Sequence, residues 1–207
     1  MKKGLFITFE GADGSGKTTM LKKTAEYLCG KGYEVITSRE PGGTVISEKI
    51  RELILDPENK EMDPVAEALL YAASRAQHVN QLIKPSVDQG KIVLCDRFMD
   101  SSIAYQGYGR GLGDSVRIIN EYAVCGMQPD ITFFLDISPE EGRSRNVKVG
   151  KSDRMELEAM AFHDKVYEGY KAIAQIYKDR FAVIPASGTI EEVFQLIRER
   201  LDAYLDH

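Results

Sequence analysis

One glycine-rich segment near the N-terminus constrains the fold more than any other feature of this chain. Residues Gly11-Ala12-Asp13-Gly14-Ser15-Gly16-Lys17-Thr18 fit the pattern GxxxxGK[ST] in full. An apolar run, Leu5 to Phe9, precedes them and predicts a buried strand, and the amphipathic segment Thr18 to Leu28 predicts a helix. In that context backbone N–H groups and the positive end of the helix converge on a phosphate. The segment therefore predicts binding of ATP or GTP, with Lys17 near the β and γ phosphates and the Thr18 hydroxyl on Mg2+.

Strand and helix patterns alternate along the rest of the chain. Runs rich in β-branched and aromatic residues predict further strands near 33–37, 92–95, 131–135 and 181–184. Amphipathic helical patterns lie near 45–55, 64–87, 115–124, 157–177 and 190–204. Such alternation implies right-handed crossovers between parallel strands. We therefore predict an α/β, three-layer P-loop NTPase fold, with a five-stranded parallel sheet, helices on both faces and a small lid, in a single domain spanning 1–207.

Composition and charge restrict the cellular compartment and the classes of binding partner expected for this protein. Lys and Arg number 27 against 32 Asp and Glu, a net charge of -5, which excludes a surface that binds nucleic acid polymers by bulk charge. No apolar run approaches the ~18 residues of a membrane span, and none resembles a signal peptide. Cys29, Cys95 and Cys125 form no CxxC pair, so buried thiols in a reducing compartment are expected. We predict a cytoplasmic protein with no membrane partner.

Arginines and two irregular segments indicate where a second anionic substrate binds. Ligands of doubly wound sheets lie beyond the carboxyl ends of the strands, and several arginines are expected to converge there: Arg39, Arg51, Arg75, Arg97, Arg143, Arg145 and Arg154. The glycine-dense stretch 106–113 and the basic stretch 143–154 are candidate mobile loops over that site. No NKxD-type segment is present, which disfavours a GTPase switch.

Three further motifs occur in a characteristic order after the glycine-rich segment. They are Arg39-Glu40-Pro41-Gly42-Gly43-Thr44, Leu70-Tyr71-Ala72-Ala73-Ser74-Arg75, and Asp96-Arg97-Phe98-Met99-Asp100-Ser101-Ser102-Ile103-Ala104-Tyr105-Gln106-Gly107. With them the chain resembles, essentially end to end, the bacterial thymidylate kinase family of nucleoside monophosphate kinases. The resemblance implies transfer of the γ-phosphoryl group of ATP to dTMP, giving ADP and dTDP for dTTP biosynthesis, and a homodimer.

The resemblance also implies a set of dTMP-binding positions: Asp13, Glu40, Arg51, Tyr71, Arg75, Arg97, Ser102, Tyr105 and Gln106. Arg97 falls where the family holds the acceptor phosphate, and Asp13 where a carboxylate contacts the sugar 3'-hydroxyl. Tyr71, often Phe in the family, occupies the position of a ring stacked on thymine, and Arg75 that of an arginine reaching a base oxygen. Tyr105 falls where a ring crowds the sugar 2' position, and its neighbours Ser102 and Gln106 where the family contacts the base edge. From the residues alone, a core tyrosine and a solvated Arg75 are the favoured interpretations, and a helix-capping Ser102 is equally good.

The charge on the transferring phosphate is expected to be offset by Lys17, Arg97 and a lid arginine. Some family members carry an arginine at the position of Gly14, which this chain lacks. The basic segment therefore resembles the lid, about 142–154, of the other subtype, and it would close over ATP and exclude water. The sequence leaves open which of Arg143, Arg145 and Arg154 is catalytic.

Asp96 is expected to join Thr18 in holding Mg2+ or its waters, with a plain capping role as the alternative. His78, His163 and His207 show no metal-ligand spacing. Two other functions stay open at this point: another nucleotide or deoxynucleoside kinase on the same scaffold, or a nonenzymatic ATP-dependent switch.

Overall fold

A computed structural model describes residues 4–146 and 153–205 and places five strands in a parallel sheet. The strands are β1 (Leu5–Glu10), β2 (Val35–Arg39), β3 (Ile92–Asp96), β4 (Ile131–Asp136) and β5 (Phe181–Pro185). Their order is β2-β3-β1-β4-β5, and every neighbouring pair is parallel. The predicted fold class is therefore confirmed. Because β1 lies between β3 and β4, the loop after β1 emerges at the point where the strand order reverses.

Helices pack on both faces of the sheet. They are α1 (Lys17–Gly30), α2 (Val45–Leu55), α3 (Pro64–His78), α4 (Lys84–Asp88), α5 (Met99–Ser102), α6 (Ser115–Ala123), α7 (Pro139–Asn146), α8 (Met160–Ile176) and α9 (Ile190–Leu205). Two π-helical segments, Val79–Ile83 and Ile103–Gly109, continue α3 into α4 and extend α5. Helix α3 begins where the Asp63 carboxylate accepts hydrogen bonds from the backbone N–H of Val65 and Ala66, as an N-cap does.

Alternate residues of the central strand explain the three layers. Ile7 and Phe9 belong to one apolar cluster with residues of α1 and α9. Phe6, one residue before Ile7, belongs to a second cluster with residues of the π-helical segment Val79–Ile83. Because neighbouring strand residues point to opposite faces, both faces of the sheet are covered.

Three sequence-based expectations are wrong: that 106–113 is a loop, that 143–146 begins a loop, and that all three cysteines are buried. The stretch 106–113 is helical through Gly109, and Gly109 serves close packing, because a Cβ there would lie 2.6 Å from the Phe162 ring of α8. The start of the basic stretch, 143–146, is helical as the end of α7, whereas 147–152 lie outside the described residues.

Of the three thiols, only Cys95 is buried, while Cys29 and Cys125 are exposed. Cys29 comes one position after buried Leu28, which turns it away from the sheet. In the described part of the chain, no helix is long and apolar enough to cross a membrane.

Candidate active site

The glycine-rich loop joins β1 to α1 at the carboxyl edge of the sheet. Gly11, Gly14 and Gly16 have φ values of 140°, 78° and 93°, which residues with a Cβ rarely adopt. Gly14 also packs against α7, where a Cβ would collide with the backbone of Gly142. An arginine at position 14 has no room in this arrangement, which agrees with its absence from the sequence.

Polar side chains at the start of α1 lie beneath this loop. Lys17 is buried, and its Nζ donates to the backbone oxygens of the first two loop residues at 3.0 and 2.8 Å. Burial, and then the charge of Arg97, lower the pKa of Lys17. Thr18 Oγ1 donates to Oδ2 of Asp96 at 2.8 Å, so the two residues predicted for Mg2+ are brought together. The buried Ser15 hydroxyl has no hydrogen-bond partner within residues 4–146 and 153–205.

Arg97 lies at the centre of the site. It follows β3 with φ 70°, a conformation unfavourable for a residue with a side chain, and its backbone N–H donates to β1 at 2.9 Å. Its Nη2 donates to Asp13 at 2.6 Å, and its Nη1 donates to the hydroxyls of Ser101 and Tyr170, both at 3.1 Å. Burial opposes ionisation of Asp13, but the charges of Arg97 and then Lys17 outweigh it and lower the pKa of Asp13 to about 2.

A buried carboxylate, Glu10, lies behind Arg97. Its Oε1 accepts from the backbone N–H of Phe98 at 2.7 Å, and its Oε2 accepts from the hydroxyls of Ser101 and Tyr170 at 2.6 and 2.9 Å. Both hydroxyls therefore bridge Glu10 to Arg97. Burial, and then the charge of Asp100, raise the pKa of Glu10 to about 7.

The residues predicted to contact the base lie on α3 and on the segment after β3. Arg75 is 1% exposed and donates to Ser102 Oγ at 2.9 Å, so the interpretations of a solvated arginine and a capping serine are wrong. Tyr71, one turn earlier, is half-buried and lines the cavity. Gln106 donates from Nε2 to the buried carboxylate of Glu67 at 2.8 Å.

These groups border one cavity of about 500 Å³, which is within the usual size of small-molecule sites. Most of the predicted site residues line it: Asp13, Gly14, Gly16, Lys17, Thr18, Glu40, Arg51, Tyr71, Arg75, Asp96, Arg97, Ser102, Tyr105, Gln106 and Arg145, together with Arg39. Gly11, Ala12, Ser15, Arg143 and Arg154 are not among its lining residues.

The three lid arginines occupy different environments. Arg145 lines the cavity and donates to the backbone oxygen of Ala186 at 2.9 Å. Arg143 is exposed on α7. Arg154 is buried and donates to the backbone oxygen of Ile54 at 2.8 Å and to Glu67 at 2.6 Å. The expected convergence of arginines therefore holds for Arg145 and not for the other two.

Sequence reasoning missed the buried residues that hold the arginines: Glu10, Glu67, Ser101, Asn120 and Tyr170. Glu10 had a usable signal, because a carboxylate that ends a buried apolar strand must have partners. Glu67, Asn120 and Tyr170 lie in helical patterns where nothing local distinguishes them from ordinary polar residues, and Ser101 lies in the third motif without a role assigned from it.

Comparison with known proteins identifies the family. The family model described as thymidylate kinase matches residues 9–197. A thymidylate kinase of Lactobacillus acidophilus is 52% identical over 199 residues, 94% of this chain and 92% of the relative. The chain belongs to the thymidylate kinase family. A thymidylate kinase of Bacillus licheniformis is 47% identical over 205 residues, covering 98% and 97% of the two chains. The crystal structure of thymidylate kinase from Ehrlichia chaffeensis matches with a TM-score of 0.78 and 37% identity, covering 96% of this chain and 98% of that one.

Family membership confirms the resemblance that the motifs indicated, and it also confirms the P-loop fold. It also confirms the predicted function, a nucleoside monophosphate kinase of the thymidylate kinase type with ATP as phosphoryl donor. The alternatives of another kinase on the same scaffold and of a nonenzymatic switch receive no support from these relatives.

Proposed function

We propose that the cavity binds ATP at the glycine-rich loop and dTMP beside Arg97, so that a dTMP phosphate oxygen attacks the γ phosphorus in line. The observation that supports this most strongly is that Lys17 and Arg97 line the same cavity and both lower the pKa of one carboxyl, Asp13. Phosphoryl transfer needs little covalent help from the protein, because positioning and charge neutralisation supply most of the catalysis. Two fixed cations at one site suit that requirement.

At the donor side, the backbone N–H groups of residues Gly11 to Thr18 and the N-terminus of α1 bind the phosphates. Lys17 now donates to two loop carbonyls, and it exchanges these bonds for oxygens of the β and γ phosphates. The unpartnered hydroxyl of Ser15 is a further donor for the same group.

The residues at the loop also fit a magnesium ion. In the described part of the chain, no group of three or more His, Cys, Asp or Glu could hold a metal. Mg2+ that arrives with a nucleotide needs only one or two protein oxygens, because phosphates and waters complete its octahedron. Thr18 and Asp96 present a hydroxyl and a carboxylate 2.8 Å apart at the cavity wall. Such an ion would neutralise charge on the β and γ phosphates.

At the acceptor side, the planar fork of Arg97 suits a phosphate dianion. Asp13 binds the sugar 3'-hydroxyl, and its contact with Arg97 keeps it ionised at neutral pH. Tyr71 supplies the ring that stacks on thymine, and the Tyr105 ring, whose hydroxyl lies 3.2 Å from Arg97, crowds the 2' position. Arg51, with Nη1 on the backbone oxygen of Pro41 at 2.8 Å, supports the loop beside them.

Residues 142–154 form the lid of a single domain in this proposal. Arg145 is the lid arginine best placed to reach the transferring phosphate, because it lines the cavity. Arg154 anchors the far end of the lid through its ion pair with Glu67. Arg143, exposed on α7, remains available to the donor nucleotide.

An exposed apolar surface supports a homodimer. Val65 and Leu69 on α3 are 49% and 51% exposed, and Ile118 and Tyr122 on α6 are 57% and 90% exposed. Each pair is four residues apart and shares one helix face, and the two helices are in contact. Apolar surface of this kind on a folded protein suits association.

We place the protein in the cytoplasm, since its three free cysteines suit a reducing compartment.

The test is an ADP-release assay with dTMP, dUMP, UMP, dCMP, dGMP and thymidine as acceptors. The expected result is a preference for dTMP with stoichiometric dTDP. Lys17→Ala should lose turnover by about 10^3 or more while keeping its circular dichroism spectrum. Lys22→Ala, which changes an exposed lysine on the same helix, is the matched control. Normal turnover of the Lys17 variant, or preference for another acceptor, would contradict the proposal.

A further inference from the structure

A line of hydrogen bonds runs behind the acceptor side of the cavity. Ser38 Oγ lies 2.7 Å from Nε2 of His78, and Nδ1 of His78 lies 3.0 Å from Oε1 of Glu40. Arg75 Nε donates to Oε2 of Glu40 at 2.7 Å. Because an ionised carboxylate only accepts, Nδ1 of His78 carries a proton and donates to Glu40. In the neutral ring, Nε2 then accepts from the Ser38 hydroxyl.

These groups are enclosed by the protein. His78, Glu40 and Arg75 are 0%, 3% and 1% exposed. The backbone packs tightly on the ring, because a Cβ on Gly43 would lie 2.5 Å from both His78 Nε2 and Ser38 Oγ. In such a dry environment a hydrogen bond is strong and an unpaired charge is costly. The His78 and Glu40 pair is therefore a rigid support.

Arg75 has almost all of its donors occupied. Besides Glu40, it donates from Nη1 to Ser102 and Asn120 and from Nη2 to the backbone oxygen of Phe98. A guanidinium has five N–H groups, so within residues 4–146 and 153–205 one N–H, on Nη2, has no partner. Arg75 lines the cavity, and this N–H is the group left for a ligand.

Both oxygens of Glu40 are already engaged by Arg75 and His78. Support of Arg75 is therefore a role for Glu40 beyond the direct contact with dTMP that the resemblance implied. We propose that Glu40 and His78 are positioning residues for recognition of the acceptor base: His78 holds Glu40, and Glu40 holds Arg75 with its remaining N–H toward a base oxygen. The proposal rests on the proposed role of Arg75 in dTMP binding.

Substitutions of His78 can remove or keep the hydrogen-bond donor that its Nδ1 provides to Glu40, and this tests the proposal. His78→Leu removes the donor to Glu40, whereas His78→Asn places an amide N–H near the position of Nδ1. His163→Leu, a histidine on α8 outside this cluster, is the matched control. KM for dTMP, KM for ATP and kcat are measured for each variant, with dTMP affinity by calorimetry and the thermal midpoint as a check on folding.

His78→Leu is expected to raise KM and Kd for dTMP about tenfold or more, the usual scale for a hydrogen bond to a charged group, and to lower the preference for dTMP over dCMP. KM for ATP stays within twofold. His78→Asn restores most of the dTMP affinity, and His163→Leu resembles wild type.

A folded His78→Leu variant with unchanged dTMP affinity would overturn the proposal, and so would equal weakening of ATP and dTMP. Should His78→Leu fail to fold, Glu40→Gln and His78→Asn decide the question: the proposal expects weaker dTMP binding in the first and nearly normal binding in the second, and the reverse refutes it. Arg75→Ala separates the proposed role of Arg75 in dTMP binding from the proposed support by His78. If Arg75→Ala binds dTMP normally, the proposed role of Arg75 fails; if only it weakens binding, the support by His78 fails.

Discussion

Replacing Glu10 with Gln is expected to remove a large pH dependence of stability between about pH 5 and pH 7. Burial, and then the charge of Asp100, raise the pKa of Glu10 from 4.5 to about 7 in the folded protein. The folded state therefore retains a proton that the unfolded chain releases in this range. The contribution of Glu10 to the free energy of unfolding is fully present below pH 4.5 and is lost as the pH rises toward 7. Since one pKa unit corresponds to about 1.4 kcal/mol, the total loss is on the order of 3 kcal/mol.

The assay is urea unfolding of the nucleotide-free enzyme, followed by circular dichroism in half-unit steps from pH 5 to pH 8. Wild type should lose stability on the order of 3 kcal/mol across the range. Glu10→Gln should lose little, because the amide does not titrate in this range, and its oxygen keeps an acceptor for the Phe98 N–H. The exposed Glu61→Gln should follow wild type. Asp13, with its pKa lowered to about 2, contributes stability that is lost only at more acid pH. Equal slopes for wild type and Glu10→Gln would refute the reasoning.

Two other variants test separate parts of the site. Tyr105→Ala should reduce the preference for dUMP over UMP about tenfold, measured as the ratio of the two kcat/KM values. Tyr105→Phe keeps the ring and should keep the preference. Equal losses in both variants would exclude crowding by the ring. Arg154→Ala should cost about 2 to 4 kcal/mol in urea unfolding, because it leaves Glu67 without one of its two arginine partners. The exposed Arg117→Ala should cost less than about 1 kcal/mol, and a similar value for Arg154→Ala would show that its ion pair contributes little.

The sheet and the phosphate loop were predictable from the sequence because their signals are local. A buried strand, a glycine-rich turn and an amphipathic helix follow one another within Leu5 to Gly30, and the same alternation recurs through the chain. The environment of Arg154 was not predictable, because its partner Glu67 lies 87 residues away. The helix at Gly109 differs from the predicted loop because glycine occurs both in flexible loops and where two elements pack closely. At Gly109 the neighbouring Phe162 ring shows that close packing is the reason, and that contact cannot be seen in the sequence.

The net charge of -5 is compatible with a site for two anionic substrates because part of the acidic excess lies inside the protein. Glu10, Glu40 and Glu67 are at most 3% exposed. Glu10 is linked to Arg97 through two hydroxyls. Glu40 binds Arg75, and Glu67 binds Arg154. Cations fixed in this way need little reorganisation when a phosphate arrives. Counting charges along the sequence cannot separate such internal counterions from surface carboxylates, since the pairs form only when distant segments meet. The two cavity arginines Arg97 and Arg75 are therefore held in place by buried acids, and loss of Glu10 or Glu40 should weaken substrate binding although either change alters the net charge by only one unit.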